Sequence, residues 1–286
     1  MKRIFVLFFS LIISQCFAQK KELYHLWPGQ VPGETGLKKE PFVDTTRKDG
    51  VLRYAEITNP AIEVWIAPTG KERNPAIVVC PGGAYSYLAY SKEGTEIAEW
   101  LNKCGFNAFI LQYRVPQKQN GALQDAQRAL RVIRSKASEW KTDPGKVGIM
   151  GFSAGGSLSA RTSILHYKKT YYPVDSKDSL SCRPDCTMLI YPAYLDQGEN
   201  RTLTPELKIA GNVPPVFIFQ TSDDTYGNSA LVMAGALRDA GFHSELHYLP
   251  QGGHGYGIRA GNVAAKTWPL LAEKWLNKTI TALTKK

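Results

Sequence analysis

The sequence predicts an α/β architecture, a doubly wound and mainly parallel sheet of about eight strands with helices on both faces. Three observations predict it. Short apolar runs alternate with longer amphipathic stretches from about Val51 onward. Several of those runs, such as 76–80 and 147–150, are apolar throughout rather than at every second position, as strands buried on both faces should be. Glycines stand just after two helical stretches, at Gly105 and Gly241, where a helix needs a left-handed terminal residue.

The elements follow in order. Residues 53–58 and 62–67 read as a hairpin around Asn59-Pro60, and 76–80 as a central strand. A helix is expected over 93–104 and a strand over 108–113. Residues 123–140 form a helix by their apolar spacing, with Arg128, Arg131, Arg134 and Lys136 read as its solvated outer side. A strand over 147–150 and a helix over 154–165 come next, then strands over 188–191 and 216–219. A helix over 229–240, a strand over 245–249 and a helix over 264–281 complete the set. In such sheets, sites lie at the carboxyl ends of the strands.

The chain has 286 residues, 43% hydrophobic and 21% charged, which excludes a disordered tail, a collagen-like repeat and a disulfide knot. Its start reads as an export signal over 1–18: Lys2 and Arg3, an apolar run over 4–13, then Cys16-Phe17-Ala18 before the cut. The remainder, 19–286, is expected to be a single domain in an exported protein, periplasmic or secreted. The apolar run is short for a membrane span. A lipoprotein anchored through Cys16 is the less favoured alternative, because Gln15 precedes that cysteine.

The formal charge of +10 becomes +8 without Lys2 and Arg3. The basic residues are dispersed rather than clustered with aromatics, so no nucleic-acid partner is implied. An acidic polymer, such as a uronic-acid-bearing polysaccharide, is the partner such a charge would favour. Cys182 and Cys186 are close enough in sequence for a small loop disulfide. Cys80 and Cys104 are expected at opposite ends of the sheet, too far apart for one. No Cys/His spacing resembles a metal site, and no cofactor is called for.

The chemistry is carried by Gly151-Phe152-Ser153-Ala154-Gly155-Gly156 between a strand and a helix. A G-x-S-x-G sequence in that context forces a sharp turn that lifts the serine hydroxyl above the sheet, beside a helix N-terminus. A serine hydroxyl needs a base. Of five histidines, His254 lies in a glycine-rich loop, 251–257, after the last strand, where the base is required. The carboxylate that orients it should follow the strand at 216–219. Asp223 is favoured there and Asp224 is the alternative. Donors for an oxyanion are expected from the amides of Ala154 and of Gly83 or Ala84, in Pro81-Gly82-Gly83-Ala84-Tyr85. Tyr85, Tyr87 and Tyr256 flank these segments and are candidates to stack on a sugar ring.

Taken together, these motifs resemble those of the secreted bacterial α/β-hydrolases grouped with acetyl-xylan and feruloyl esterases. The likeness runs from about residue 50 to about 280. It includes Cys80-Pro81-Gly82-Gly83-Ala84-Tyr85, Glu93-Gly94, Tyr113-Arg114-Val115-Pro116 and Asp125-Ala126-Gln127-Arg128-Ala129. The early Leu26-Trp27-Pro28-Gly29 also fits. The resemblance implies an α/β-hydrolase fold and a serine carboxylesterase using Ser153, Asp223 and His254. One departure is Ala84, in place of a third glycine, so that this position is expected to need no positive φ. Another is the short approach from Asp224 through Thr225-Tyr226-Gly227 to Asn228-Ser229. Asp125 and Arg128 are read as structural ion-pair or capping residues.

The segments available for a cap, 167–186 and 192–213, are short. An open cleft suits an ester on a hydrated molecule, such as an acetyl group on a polysaccharide. The alternatives are a peptidase or a small-molecule esterase or lipase on the same fold, and a carbohydrate-binding protein with an inactive site.

Overall fold

A computed structural model describes residues 22–283. The expected export signal and Cys16 lie outside the described residues. The core is an eight-stranded sheet built from β1 (Glu22–His25), β4 (Ala61–Trp65), β5 (Asn74–Cys80), β6 (Asn107–Gln112), β7 (Thr142–Phe152), β8 (Thr187–Ile190), β9 (Val216–Thr221) and β10 (Ser244–Leu249). Its order is β1-β4-β6-β5-β7-β8-β9-β10. The β1–β4 and β4–β6 pairs are antiparallel, and the remaining five are parallel.

Helices α1 (Glu96–Lys103), α2 (Gln119–Ser135), α3 (Ala154–Ile164), α4 (Gly227–Asp239) and α5 (Val263–Leu283) cover the sheet. Apolar residues of α2, α3 and α4 close one face, together with Val78, Leu111 and Ile149. Those of α1 and α5 close the other over Val79, Ile110, Met150 and Phe217. Strands β5, β6, β8 and β9 are buried along nearly their whole length, which explains their unbroken apolar runs.

Two expectations fail here. Residues 53–58 and 62–67 do not form a hairpin. Glu56 turns left-handed at φ 52, and β3 (Arg53–Ala55) pairs instead with β2 (Phe42–Asp44) in a separate two-stranded sheet. Strand β4 finds its partners in β1 and β6. The second failure concerns α2. Arg128 is not on its solvated side but fully buried, in the ion-pair role also read for it.

Arg128 owes that burial to distant partners. Its guanidinium meets Asp175 at 2.6 Å and Asp178 at 2.9 Å, and donates to the Leu26 carbonyl at 3.0 Å. Asp125, one turn earlier, accepts from Arg114 Nε at 2.9 Å and from Trp27 Nε1 at 2.8 Å. Arg114 also reaches the Pro32 carbonyl at 2.5 Å. These buried charges strap residues 26–32 across α2. Burial raises the Asp125 carboxyl, and the Arg114 charge opposes that rise.

Cys80, Cys104, Cys182 and Cys186 are all free thiols, so the bridge that the Cys182–Cys186 spacing would allow is not made. Cys182 donates to the His166 carbonyl at 3.2 Å, while Cys186 packs against Gly148, turned to a different neighbour. Among the described residues, no helix is long and apolar enough to cross a membrane.

Candidate active site

The site forms where β5, β7 and β9 end. Strand β7 stops at Phe152, and Ser153 takes φ 52 and ψ −119 before α3 begins at Ala154. A non-glycine residue in the left-handed region is costly, so the surroundings must enforce it. They do so by contact. A Cβ on Gly151 would lie 1.9 Å from the Gly155 carbonyl oxygen, and one on Gly155 would lie 2.0 Å from the Cys80 carbonyl oxygen. Only glycine permits that approach, and the approach fixes the turn.

His254 Nε2 lies 2.8 Å from Ser153 Oγ, and its Nδ1 lies 2.7 Å from Asp224 Oδ2. An ionised carboxylate only accepts, so Nδ1 carries the proton and Nε2 is left to accept from the serine hydroxyl. The Asp224 side chain is fully buried, and the imidazole is 28% exposed.

This corrects the choice of carboxylate. Asp223 does not touch the imidazole. Its two oxygens accept the backbone N–H groups of Gly253 at 2.9 Å and Gly252 at 3.0 Å. Those two bonds hold its carboxyl below the usual range. Asp223 therefore grips the histidine loop, and Asp224 meets the histidine.

The same loop is held at several further points. Thr221 Oγ1 donates to the Gly253 carbonyl at 3.0 Å, and Asn262 donates to that of Gly252 at 2.7 Å. Lys92 Nζ donates to the Gly255 carbonyl at 3.0 Å. The Gly257 N–H donates to Tyr191 Oη at 3.0 Å.

Glu93 joins this loop to the one after β5. Its Oε2 accepts the Gly82 N–H at 2.7 Å, and its Oε1 accepts the Tyr191 hydroxyl at 2.9 Å. Burial raises the Glu93 carboxyl, and those two donors oppose the rise. Sequence reasoning quoted Glu93 within a motif and gave it no role. An acidic residue three places after an aromatic, Tyr90, and ahead of a helix was the only signal.

With the Gly82 amide engaged by Glu93, the amides of Gly83 and Ala84 have no hydrogen-bond partner among the described residues. The Ala154 amide opens α3, where a helix leaves its first N–H groups without internal partners. Ala84 takes φ 57, contrary to the expectation for a non-glycine there, because the turn is set on either side of it. Gly83 stands at φ 137, and a Cβ on it would lie 2.0 Å from the Tyr87 carbonyl oxygen.

A pocket of about 200 Å³ surrounds Ser153 and His254, bounded by Gly83, Ala84, Tyr87, Tyr194 and Tyr226. Arg53 and Lys92 also border it. Of the three tyrosines expected to flank the site, Tyr87 does so. Tyr85 faces an adjoining cavity instead. Tyr256 reaches neither. It is 7% exposed, packed edge-on against Tyr191 with ring centres 4.4 Å apart, and burial raises its phenol. Tyr226, whose ring centre lies 4.9 Å from that of His254, was not anticipated. Neither was Tyr194, which packs on Tyr226 at 5.3 Å.

Comparison with known proteins gives the following. The family model BD-FAE matches residues 62–180. An acetylxylan esterase from Xylanibacter ruminicola is 32% identical over 205 residues, which are 67% of this chain and 42% of that protein. Endo-1,4-beta-xylanase B from Butyrivibrio fibrisolvens is 31% identical over 209 residues, 64% of this chain and 32% of that protein. This chain thus spans less than half the length of either relative. The crystal structure of an acetyl ester-xyloside bifunctional hydrolase from Caldicellulosiruptor lactoaceticus superposes with a TM-score of 0.73 at 30% identity, covering 90% of this chain and 96% of that one.

Proposed function

The chain belongs to the α/β-hydrolase family that includes acetylxylan esterases, and from that premise we propose that it hydrolyses carboxylic esters through an acyl-serine. The observation that carries the reading is the hydrogen-bonded chain from Ser153 through His254 to Asp224, beside unpaired backbone amides. Ser153 Oγ attacks the ester carbonyl while His254 Nε2 takes the hydroxyl proton. Asp224 stabilises the imidazolium that results. The carbonyl oxygen gathers charge in the field of the Ala154 amide and those of Gly83 or Ala84. His254 returns its proton to the leaving alcohol. A water molecule, activated by the same imidazole, then releases the acid and restores Ser153.

The substrate we propose is an acetyl or other small acyl ester on a xylan-like polysaccharide or oligosaccharide. The relatives' names support the polysaccharide. The form of the molecule supports access to it, because the chain between β8 and β9 carries only a three-residue 3-10 turn, Glu199–Arg201, and no helical lid. The signal-like sequence over 1–18 supports export, with 19–286 acting as one unit.

Ser153→Ala should lower hydrolysis of p-nitrophenyl acetate about 10⁴-fold or more, measured as kcat by release of p-nitrophenol. Hydrolysis retained by that variant would remove the reading.

A further inference from the structure

A second cavity, of about 350 Å³, adjoins the Ser153 pocket and shares Ala84 and Tyr194 with it. Its walls come from four places, one of them α3, which supplies Ser157 and Arg161. Tyr85 follows β5, Gln117 and Gln119 lead into α2, and Gln197 and Thr204 belong to the segment between β8 and β9. Its size is at the lower end of the range of about 300–1,000 Å³ for small-molecule sites.

The chemistry of the walls is narrow. Arg161 and Glu206 contribute the charges, and they neutralise each other at 2.5 Å. The remaining Arg161 donors are taken by the Gln119 carbonyl at 2.8 Å and by Asn120 at 3.1 Å. An anion therefore finds no free cation there. The other polar groups are carboxamides and hydroxyls, which both donate and accept. Gln119 donates to Gln117 and Gln117 to the Ser86 hydroxyl, each over a long 3.3 Å, which leaves capacity open on both carboxamides.

A buried group in this cavity lacks a partner. Tyr85 is 3% exposed, and its hydroxyl makes no hydrogen bond within the protein. Ser157 and Arg161 lie near enough to oppose the rise that burial gives its phenol, but neither meets Oη in the geometry of a full hydrogen bond. A buried hydroxyl without a partner is destabilising, so its retention asks for a ligand that satisfies it. The backbone is strained here as well. Among the described residues ten non-glycine residues have positive φ, and four of them, Ala84, Tyr85, Gln117 and Tyr194, border this cavity.

An alkyl acyl chain in this cavity would leave the carboxamides and the Tyr85 hydroxyl desolvated and unpaired. A polyhydroxylated ring would pair with them. Building on the ester-hydrolase reading above, we propose that this cavity is the subsite for a neutral pyranose ring next to the ring that carries the ester. It would then select esters on oligosaccharides over simple esters.

The test is steady-state kinetics of the full chain on acetylated neutral xylo-oligosaccharides and on p-nitrophenyl acetate, which has no sugar. Tyr85→Phe removes only the hydroxyl, and Gln197→Ala removes an exposed carboxamide that no fold contact needs. Each should lower the ratio of kcat/KM on the oligosaccharide to that on p-nitrophenyl acetate about 3- to 10-fold, through KM rather than kcat. An unchanged ratio in both folded variants overturns the subsite. So does a loss that appears on p-nitrophenyl butyrate relative to the acetate, because that marks an acyl pocket. Failure of the ester-hydrolase reading would show separately, as absent hydrolysis of p-nitrophenyl acetate by the wild type. In that case calorimetric binding of unesterified xylotriose, weaker in Tyr85→Phe, still supports the subsite, and equal or absent binding overturns it.

Discussion

The two halves of the active site are positioned by opposite means. Ser153 is held by backbone, where Gly151 and Gly155 pack against the carbonyl oxygens of Gly155 and of Cys80 too closely for any side chain. His254 sits in a loop whose Gly252 and Gly257 approach side chains more closely than backbone, and side chains from elsewhere hold it. Asp223 and Asn262 grip Gly252, Asp223 and Thr221 grip Gly253, Lys92 grips Gly255 and Tyr191 grips Gly257. The nucleophile thus depends on steric exclusion between its own turn and the end of β5, and the base on hydrogen bonds gathered from distant elements. The first arrangement should fail all at once, the second by degrees.

The sharpest way to break the contrast is Gly155→Ala. Its Cβ would meet the Cys80 carbonyl oxygen, so the variant should lose about 3 kcal/mol or more of stability or fail to fold, as read by thermal melting. A fully stable Gly155→Ala would show that the turn is not sterically determined. Next in size is Asp224→Asn, which should lower kcat about 10⁴-fold while the chain stays folded, because the amide favours the wrong imidazole tautomer. If Asp223→Asn had that effect instead, the division of labour between the two carboxylates would be reversed.

Glu93→Gln tests the link between the two loops. It should lower kcat about 10-fold by loosening the Gly82 amide and Tyr191 together. Its stability carries a second signature. Burial raises the Glu93 carboxyl, so the folded chain releases that proton at a higher pH than the unfolded chain does. That contribution is fully present below the unfolded carboxyl's pKa and is lost as pH rises through the raised one. The melting temperature of Glu93→Gln, minus that of the wild type, should therefore increase as pH rises from about 4 to 8. Smallest is Asp223→Asn, expected to cost a few-fold in kcat/KM, since its two amide contacts share the loop with five other tethers, from Thr221, Asn262, Lys92, Tyr191 and Trp268.

This contrast also sets what the sequence revealed. Ser153 was legible because the glycines that permit its turn lie within two residues of it, between a strand and a helix that periodicity identifies, although the Cys80 and Ile190 carbonyls that they and it meet lie far along the chain. The parallel sheet was legible for the same local reason. Asp223 and Asp224 are neighbours in one turn, and which of them faces the imidazole is decided by the Gly252 and Gly253 amides about thirty residues away. Arg128 is a basic residue on an amphipathic helix in sequence terms, and only Asp175 and Asp178, far along the chain, make it a core residue. Tyr85, Tyr87 and Tyr256 are alike in composition and loop setting, yet they end in a cavity wall, a pocket wall and a packed interior.

The strap of residues 26–32 over α2 bears on how this protein can be cut and recombined. The shared family match begins at residue 62, but a fragment started there would strip Trp27 from Asp125 and the Leu26 and Pro32 carbonyls from Arg128 and Arg114. Removing a partner from a buried charge costs about 3–5 kcal/mol, a large share of what a domain of this kind has to spare. Trimming, fusion and domain-exchange experiments should therefore take their left-hand junction upstream of Glu22, where the first strand joins the sheet, rather than where the likeness to relatives begins.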